Sequence, residues 1–193
     1  MGPMGPEVPS HLKKHPVLCV DGGAHFSDQM EIWVGDDDSF GKATNAVHTF
    51  RHPIEKDQSD LALAFELFKE HCHLKLHLWG FLGGRRDHEI FNLGEALTFL
   101  EEHPESEVIL YDEKGVLRYH LLGSGHWKFS FEGVFSLGTL KKTLVKLTGE
   151  CHYPITKFHA LTPLSSYGLS NIGKGEMILE TDGPVFLYFA EGE

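Results

Sequence analysis

The sequence predicts an α/β chain: an N-terminal Rossmann-like parallel sheet with flanking helices, then a C-terminal all-β sandwich or barrel. Three observations predict this. Short apolar runs alternate with helical patterns as far as about residue 111. Beyond about residue 115 the helical periodicity stops, and short β-like runs divided by Gly, Ser, Pro and Asn take over. Acidic and Gly-rich stretches fall just after the early apolar runs, at the carboxyl ends of strands, where open α/β sheets bind ligands. The expected domains are residues 1–115 and 116–193.

The first strand is the apolar run Val17 to Val20, and Asp21-Gly22-Gly23-Ala24 follows it directly. Strand, acid and two glycines is one way to bring backbone close to a phosphate. Taken alone, an Asp-Gly pair is better read as an ordinary turn. The second strand, Glu31 to Val34, leads into Gly35-Asp36-Asp37-Asp38-Ser39. Three adjacent carboxylates repel one another unless a cation or solvent absorbs their charge. Strand alternation points Asp36 and Asp38 one way and Asp37 the other. Two carboxylates on one side suit a hard divalent cation such as Mg²⁺.

A third strand, about Ala46 to Phe50, precedes Lys56-Asp57-Gln58-Ser59-Asp60. Ser59 is placed to cap a helix whose apolar face carries Leu61, Ala64, Phe65 and Phe68. Capping alone would account for Asp57 and Asp60. The fourth strand, Leu74 to Trp79, opens into a Gly-rich loop, residues 80–87, that holds Arg85, Arg86 and Asp87. A second helix is expected from His88 to Glu102 with Ile90, Leu93, Leu97 and Leu100 on its buried face, then a strand from Glu107 to Tyr111.

In the C-terminal part, strands are expected at Val116–Leu122, Trp127–Phe131, Val134–Leu137, Thr143–Leu147, Glu176–Glu180 and Val185–Phe189. Trp127, Phe129 and Phe131 alternate as a half-buried strand does, and no basic groove accompanies them as a base-stacking platform would need.

Charge and composition exclude several classes. A formal net charge of -11 disfavours a sequence-independent nucleic-acid binder. No apolar run is long enough for a membrane-spanning helix. The Gly- and Pro-rich stretch from Met1 to Ser10 lacks the apolar core of a signal peptide, so the expected address is the cytoplasm. Cys19, Cys72 and Cys151 show no paired spacing, which fits a reducing compartment. His71, Cys72, His73 and His77 cluster without a second zinc-type ligand pair. They read as surface or helix-end residues, as do His120, His126, His152 and His159. A calcium loop starting at Asp36 fails at its fifth and twelfth positions, Phe40 and Val47, where oxygen ligands are needed.

Four segments stand in order: Asp-Gly-Gly-Ala at 21–24, Gly-Asp-Asp-Asp-Ser at 35–39, Lys-Asp-Gln-Ser-Asp at 56–60 and Gly-Gly-Arg-Arg-Asp-His at 83–88. Together they resemble the thiamine pyrophosphokinase family. Gly149 to Ile155 and Gly168-Leu169-Ser170-Asn171 are similar to stretches of that family's thiamine-binding β domain, so the resemblance runs from about residue 17 to the end. It implies Mg²⁺-dependent transfer of a diphosphoryl group from ATP to the hydroxyl of thiamine, giving AMP and thiamine diphosphate.

Carried onto this sequence, the resemblance makes Asp36, Asp38 and Asp60 the metal ligands, with Asp21 and Asp57 beside them. Arg85 pairs with phosphate, and Asp87 and His88 close the same loop. Gly22 and Gly23 let the nucleotide approach the backbone, and Ser39 and Lys56 join the nucleotide side. Ser170, Asn171 and Tyr153 face the vitamin. The resemblance also implies a homodimer with the thiamine site between subunits. Two further readings stay open: a non-catalytic relative that binds thiamine or a nucleotide, and a diphosphotransferase with another alcohol acceptor.

Overall fold

The computed structural model describes residues 15–26, 30–36 and 46–190. Asp37, Asp38 and Ser39 of the acidic run lie outside them. The described residues form a mixed α/β structure with two sheets. The first has three strands in the order β1 (Leu18–Val20), β2 (Ile32–Gly35) and β3 (His48–Arg51), all parallel. The second has eight, in the order β4-β5-β6-β11-β7-β10-β8-β9. Its members are β4 (Lys75–Trp79), β5 (Glu107–Tyr111), β6 (Leu117–Leu122), β7 (Gly125–Gly138), β8 (Thr143–Cys151), β9 (Ile155–Leu161), β10 (Asn171–Thr181) and β11 (Val185–Phe189).

The expected single parallel sheet is therefore divided. β1 to β3 form a sheet of their own, while β4 and β5 join the sheet of the C-terminal strands. Local pattern marks where strands exist, whereas their neighbours are set by pairing across the chain.

The chain separates into two compact units. The first comprises Met1–His71, His77–Glu95 and Leu110–Val116, and the second Cys72–Leu76, Ala96–Ile109 and Leu117–Glu193. In the first unit, Cys19, Ala24, Trp33 and Trp79 form a buried cluster, with Val17, Met30, Ala46 and Tyr111 packed against it. Trp33 and Val34 are fully buried, as a strand covered on both faces requires. Helix α1 (Asp60–Glu66) starts as expected: Ser59 Oγ accepts from the Ala62 amide at 3.1 Å, satisfying one of the helix's orphan donors. It stops before Phe68.

Helix α2 (Arg86–Glu102) buries Ala96, Leu97, Phe99 and Leu100, but Ile90 is 62% exposed. This corrects the expected apolar face. Helical spacing shows which residues share a side, not how far along the helix the opposing surface reaches.

In the second unit, inward residues of β6 to β11 meet in one core that includes Phe135, Leu137, Leu147, Met177, Leu179 and Leu187. Each such side chain contributes roughly 1.5–3 kcal/mol when fully buried. Trp127, Phe129 and Phe131 pack against this core from alternating positions, as expected.

Two expectations fail here. The separate strands 127–131 and 134–137 are one 14-residue strand, β7, which pairs with β10 without a break from Gly125 to Phe135. Gly133, at φ +133°, takes a backbone conformation that only glycine adopts easily, so the strand passes through it. β9 was not expected at all, because residues 156–158 are all exposed and show no alternation. It is held by antiparallel pairing with β8. The three cysteines are free thiols. Among the described residues no helix is long and apolar enough to cross a membrane.

Candidate active site

The three parallel strands end side by side. β1 delivers Asp21 and β2 delivers Asp36 at the same edge, since Val20 pairs with Val34. Asp21 opens a 3-10 turn at φ +49°, a left-handed conformation uncommon for a residue with a side chain. Its carbonyl oxygen accepts from the Trp33 indole Nε1 at 3.1 Å. Gly35 admits this arrangement: a Cβ there would lie 2.7 Å from the Trp33 ring and 3.1 Å from the Asp21 Cα. Trp33, buried in β2, thus fixes the backbone of a candidate site residue.

Lys56 closes the group. Its ammonium donates to Asp36 Oδ2 at 2.6 Å and lies 3.0 Å from Asp60 Oδ1. The second contact is an ion pair that is not aligned as a hydrogen bond, so Asp60 Oδ1 is buried without a hydrogen-bond partner, as is Asp21 Oδ1. Burial raises the Asp60 carboxyl above the usual carboxylate range; Lys56 pulls it down, and the charges of Asp36 and Asp21 push it further up. Burial works against the Lys56 charge, but its hydrogen bond to Asp36 and the negative charges of Asp60 and Asp36 outweigh that and its pKa is raised.

The structure therefore brings Asp21, Asp36, Lys56 and Asp60 into one electrostatic group. Asp57 is exposed. Gly22 and Gly23 are buried in the turn after β1. Among the described residues no three His, Cys, Asp or Glu side chains are arranged to hold a metal. The donor set still fits a hard divalent cation. The groups are carboxylate oxygens, two of them are buried without a hydrogen-bond partner, and an ammonium already stands between two of the acids.

The Gly-rich loop lies between β4 and α2. Gly83 and Gly84 adopt positive φ, and the Gly83 amide donates to the Glu89 carboxylate. Asn92 Nδ2 donates to the Phe81 carbonyl at 2.8 Å and ties the loop to α2. Arg85 is exposed and paired in a fork with Asp87, which holds the Asp87 carboxyl down at about 2. His88 is exposed in the first turn of α2. Glu89 escaped the sequence reading because a carboxylate at a helix start reads as a dipole partner.

In the second unit, Ser170 precedes β10 at φ +58°, and its amide donates to Ser136 Oγ at 3.1 Å. Asn171 is buried. Its Oδ1 accepts from the Tyr153 amide at 3.0 Å and the Ile172 amide at 2.8 Å, while Nδ2 donates to the Tyr153 carbonyl at 2.9 Å. Asn171 therefore clamps Tyr153 at both backbone groups. The Tyr153 ring, edge-on to His152, is left 60% exposed.

Several histidines expected at the surface have partners. His77 Nδ1 is 2.8 Å from the Tyr111 hydroxyl, His120 is 2.5 Å from Glu107, and His159 stacks on Tyr167. The first two reach residues far away in sequence, which composition and spacing do not reveal.

The profile of the family described as thiamin pyrophosphokinase, catalytic domain, matches residues 10–110, just over half of the chain. The chain belongs to the thiamin pyrophosphokinase family. With that membership it is an enzyme of the thiamin pyrophosphokinase kind. The fold agrees with solved members. A Bacillus subtilis thiamine pyrophosphokinase structure is similar over 97% of this chain and 97% of its own, at 20% identity and a TM-score of 0.73. A Candida albicans thiamin pyrophosphokinase matches over 95% and 86%, at 15% identity and a TM-score of 0.70. The yeast enzyme matches over 94% and 81%, at 13% identity and a TM-score of 0.59. At these identities the likeness is one of fold. No curated protein sequence matches the chain.

Proposed function

We propose that the protein transfers a diphosphoryl group from ATP to the hydroxyl of thiamine, with Mg²⁺ as its cation. The observation that carries this reading is the group at the carboxyl edge of the parallel strands. There Lys56 bridges Asp36 and Asp60, and carboxylate oxygens of Asp21 and Asp60 are left without hydrogen bonds. Such an edge is built to take up positive charge and to present it to phosphates.

Asp36, Asp60 and the neighbouring Asp38 would hold the cation, which when bound offsets the charge of the phosphate oxygens. Lys56 and Arg85 bind phosphate oxygens, Arg85 through its fork of donors. Gly22 and Gly23 let the nucleotide lie against backbone. Ser39, Asp57, Asp87 and His88 complete the nucleotide side. In this reading catalysis is positioning and charge neutralisation, with in-line attack by the acceptor hydroxyl on the β-phosphorus.

Residues 1–115 form the ATP and metal domain, Rossmann-like in using parallel strand ends, and 116–193 the thiamine domain of sandwich or barrel type. Tyr153 offers an exposed ring for the vitamin's rings, Asn171 presents it, and Ser170, next to Asn171 in the chain, supplies a hydroxyl. The working form is a cytoplasmic homodimer with the thiamine site at the subunit interface. Incubation with ATP, Mg²⁺ and thiamine is expected to yield AMP and thiamine diphosphate. No AMP above that of a D36A/D38A control would refute the reading.

A further inference from the structure

We propose that Lys56 is a resident counter-ion that a divalent metal must evict, so that metal and nucleotide bind with positive coupling. The inference rests on the diphosphokinase reading above. Lys56 Nζ lies 2.6 Å from Asp36 and 3.0 Å from Asp60. The three side chains are only 13%, 9% and 21% exposed, so salt screens this cluster far less than a surface pair.

An ammonium so placed covers the carboxylate oxygens that a cation would need, and like charges at that range repel. A metal arriving alone must break both contacts and leave an ammonium in a largely buried setting without its partners. Breaking a shielded pair in this way is costly. A polyphosphate chain removes the difficulty, because it gives the displaced ammonium a new anionic partner. Lys56 can make the exchange: it sits in the loop before α1, four residues ahead of Asp60, on a flexible four-carbon stem. Nucleotide then tightens metal binding by the same factor as metal tightens nucleotide.

Binding of Mn²⁺ to the full chain tests this, followed by the EPR signal of free Mn²⁺ with and without a non-hydrolysable ATP analogue. Wild type is expected to bind Mn²⁺ weakly alone and on the order of tenfold or more tightly with the analogue. Lys56→Gln is expected to bind Mn²⁺ several-fold more tightly than wild type without nucleotide, and to gain less from the analogue. Direct metal–nucleotide contact tightens both proteins alike, so the difference between them reports Lys56. Lys56→Arg keeps the charge and is expected to follow wild type. A folded Lys56→Gln protein, checked by circular dichroism, that binds Mn²⁺ no more tightly than wild type would overturn the counter-ion role. If wild type still forms AMP in that case, the diphosphokinase reading survives. If wild type neither binds Mn²⁺ nor forms AMP, both fall.

Discussion

Asp60 in the first unit and Asn171 in the second both carry polar side chains away from solvent, but their surroundings differ. Asn171 has its amide engaged on both sides by the backbone of Tyr153 and by Ile172. Asp60 has one oxygen buried without a hydrogen bond, beside Asp36 and Asp21 and restrained by Lys56. A satisfied buried amide rigidifies what it holds, while neighbouring acids of like charge, with one oxygen each of Asp21 and Asp60 left without a hydrogen bond, favour positive charge nearby. In the function proposed above, the second unit serves presentation and the first charge.

The largest expected effect tests the charged side. Asp36→Asn and Asp60→Asn each remove a negative group from the cation edge, and the rate of AMP formation should fall on the order of 10²–10³-fold. Thermal unfolding should show both variants still folded. Asp37→Asn should retain activity while Asp38→Asn loses most of it, and equal losses would contradict the alternation that the sequence predicts for these two residues. Wild-type activity in the Asp60→Asn variant would break the contrast at its root.

Next comes the satisfied side. Asn171→Ala deletes three backbone contacts and leaves the Tyr153 amide without its acceptor, at a cost of about 2–3 kcal/mol in urea unfolding. The KM for thiamine should rise with it, while the affinity for an ATP analogue stays near wild type. Unchanged stability would show that the clamp holds nothing.

A smaller, pH-dependent effect is expected at Glu107. Burial alone would raise its carboxyl, but His120 and Lys75 outweigh burial and hold it below the usual range. A depressed carboxyl stabilises the fold above its ordinary value, 4.5, and that contribution is lost as pH falls through the lower folded value. Glu107→Gln should therefore unfold more easily than wild type at neutral pH, by roughly 1 kcal/mol. The gap should close in acid, and a gap independent of pH would remove the charge explanation.

The smallest effect on stability is expected at Arg85. Arg85→Gln should return the Asp87 carboxyl from about 2 toward its ordinary 3.8, which a carboxyl NMR titration reads directly. The pair is exposed, so unfolding should barely change. A clear loss of ATP-analogue affinity with unchanged stability would place Arg85 on the charged side of the comparison.

Much of the site was legible because its chemistry is local. Asp21-Gly22-Gly23 and Asp36 follow apolar strand runs, Ser59 caps a helix it directly precedes, and Gly83-Gly84-Arg85 links a strand to a helix. Other features were not legible, for reasons that can be named. The Lys56–Asp36 contact spans 20 positions, and the Ser170–Ser136 bond spans 34. β9 carries no alternation because residues 156–158 are all exposed, and its strand state comes from pairing with β8.

The sequence by itself determined the order of most elements, the family, and which acids, glycines and arginine are the candidates for its chemistry. Periodicity, capping and short motifs are interactions between near neighbours, and they are written in adjacent residues. Only the tertiary structure decided that β4 and β5 join the eight-stranded sheet, that Trp33 fixes Asp21, that Asn171 grips Tyr153, and that Lys56 stands between Asp36 and Asp60. Each of these depends on which distant segments meet, and that choice is made by burying apolar surface and pairing strands over the whole chain.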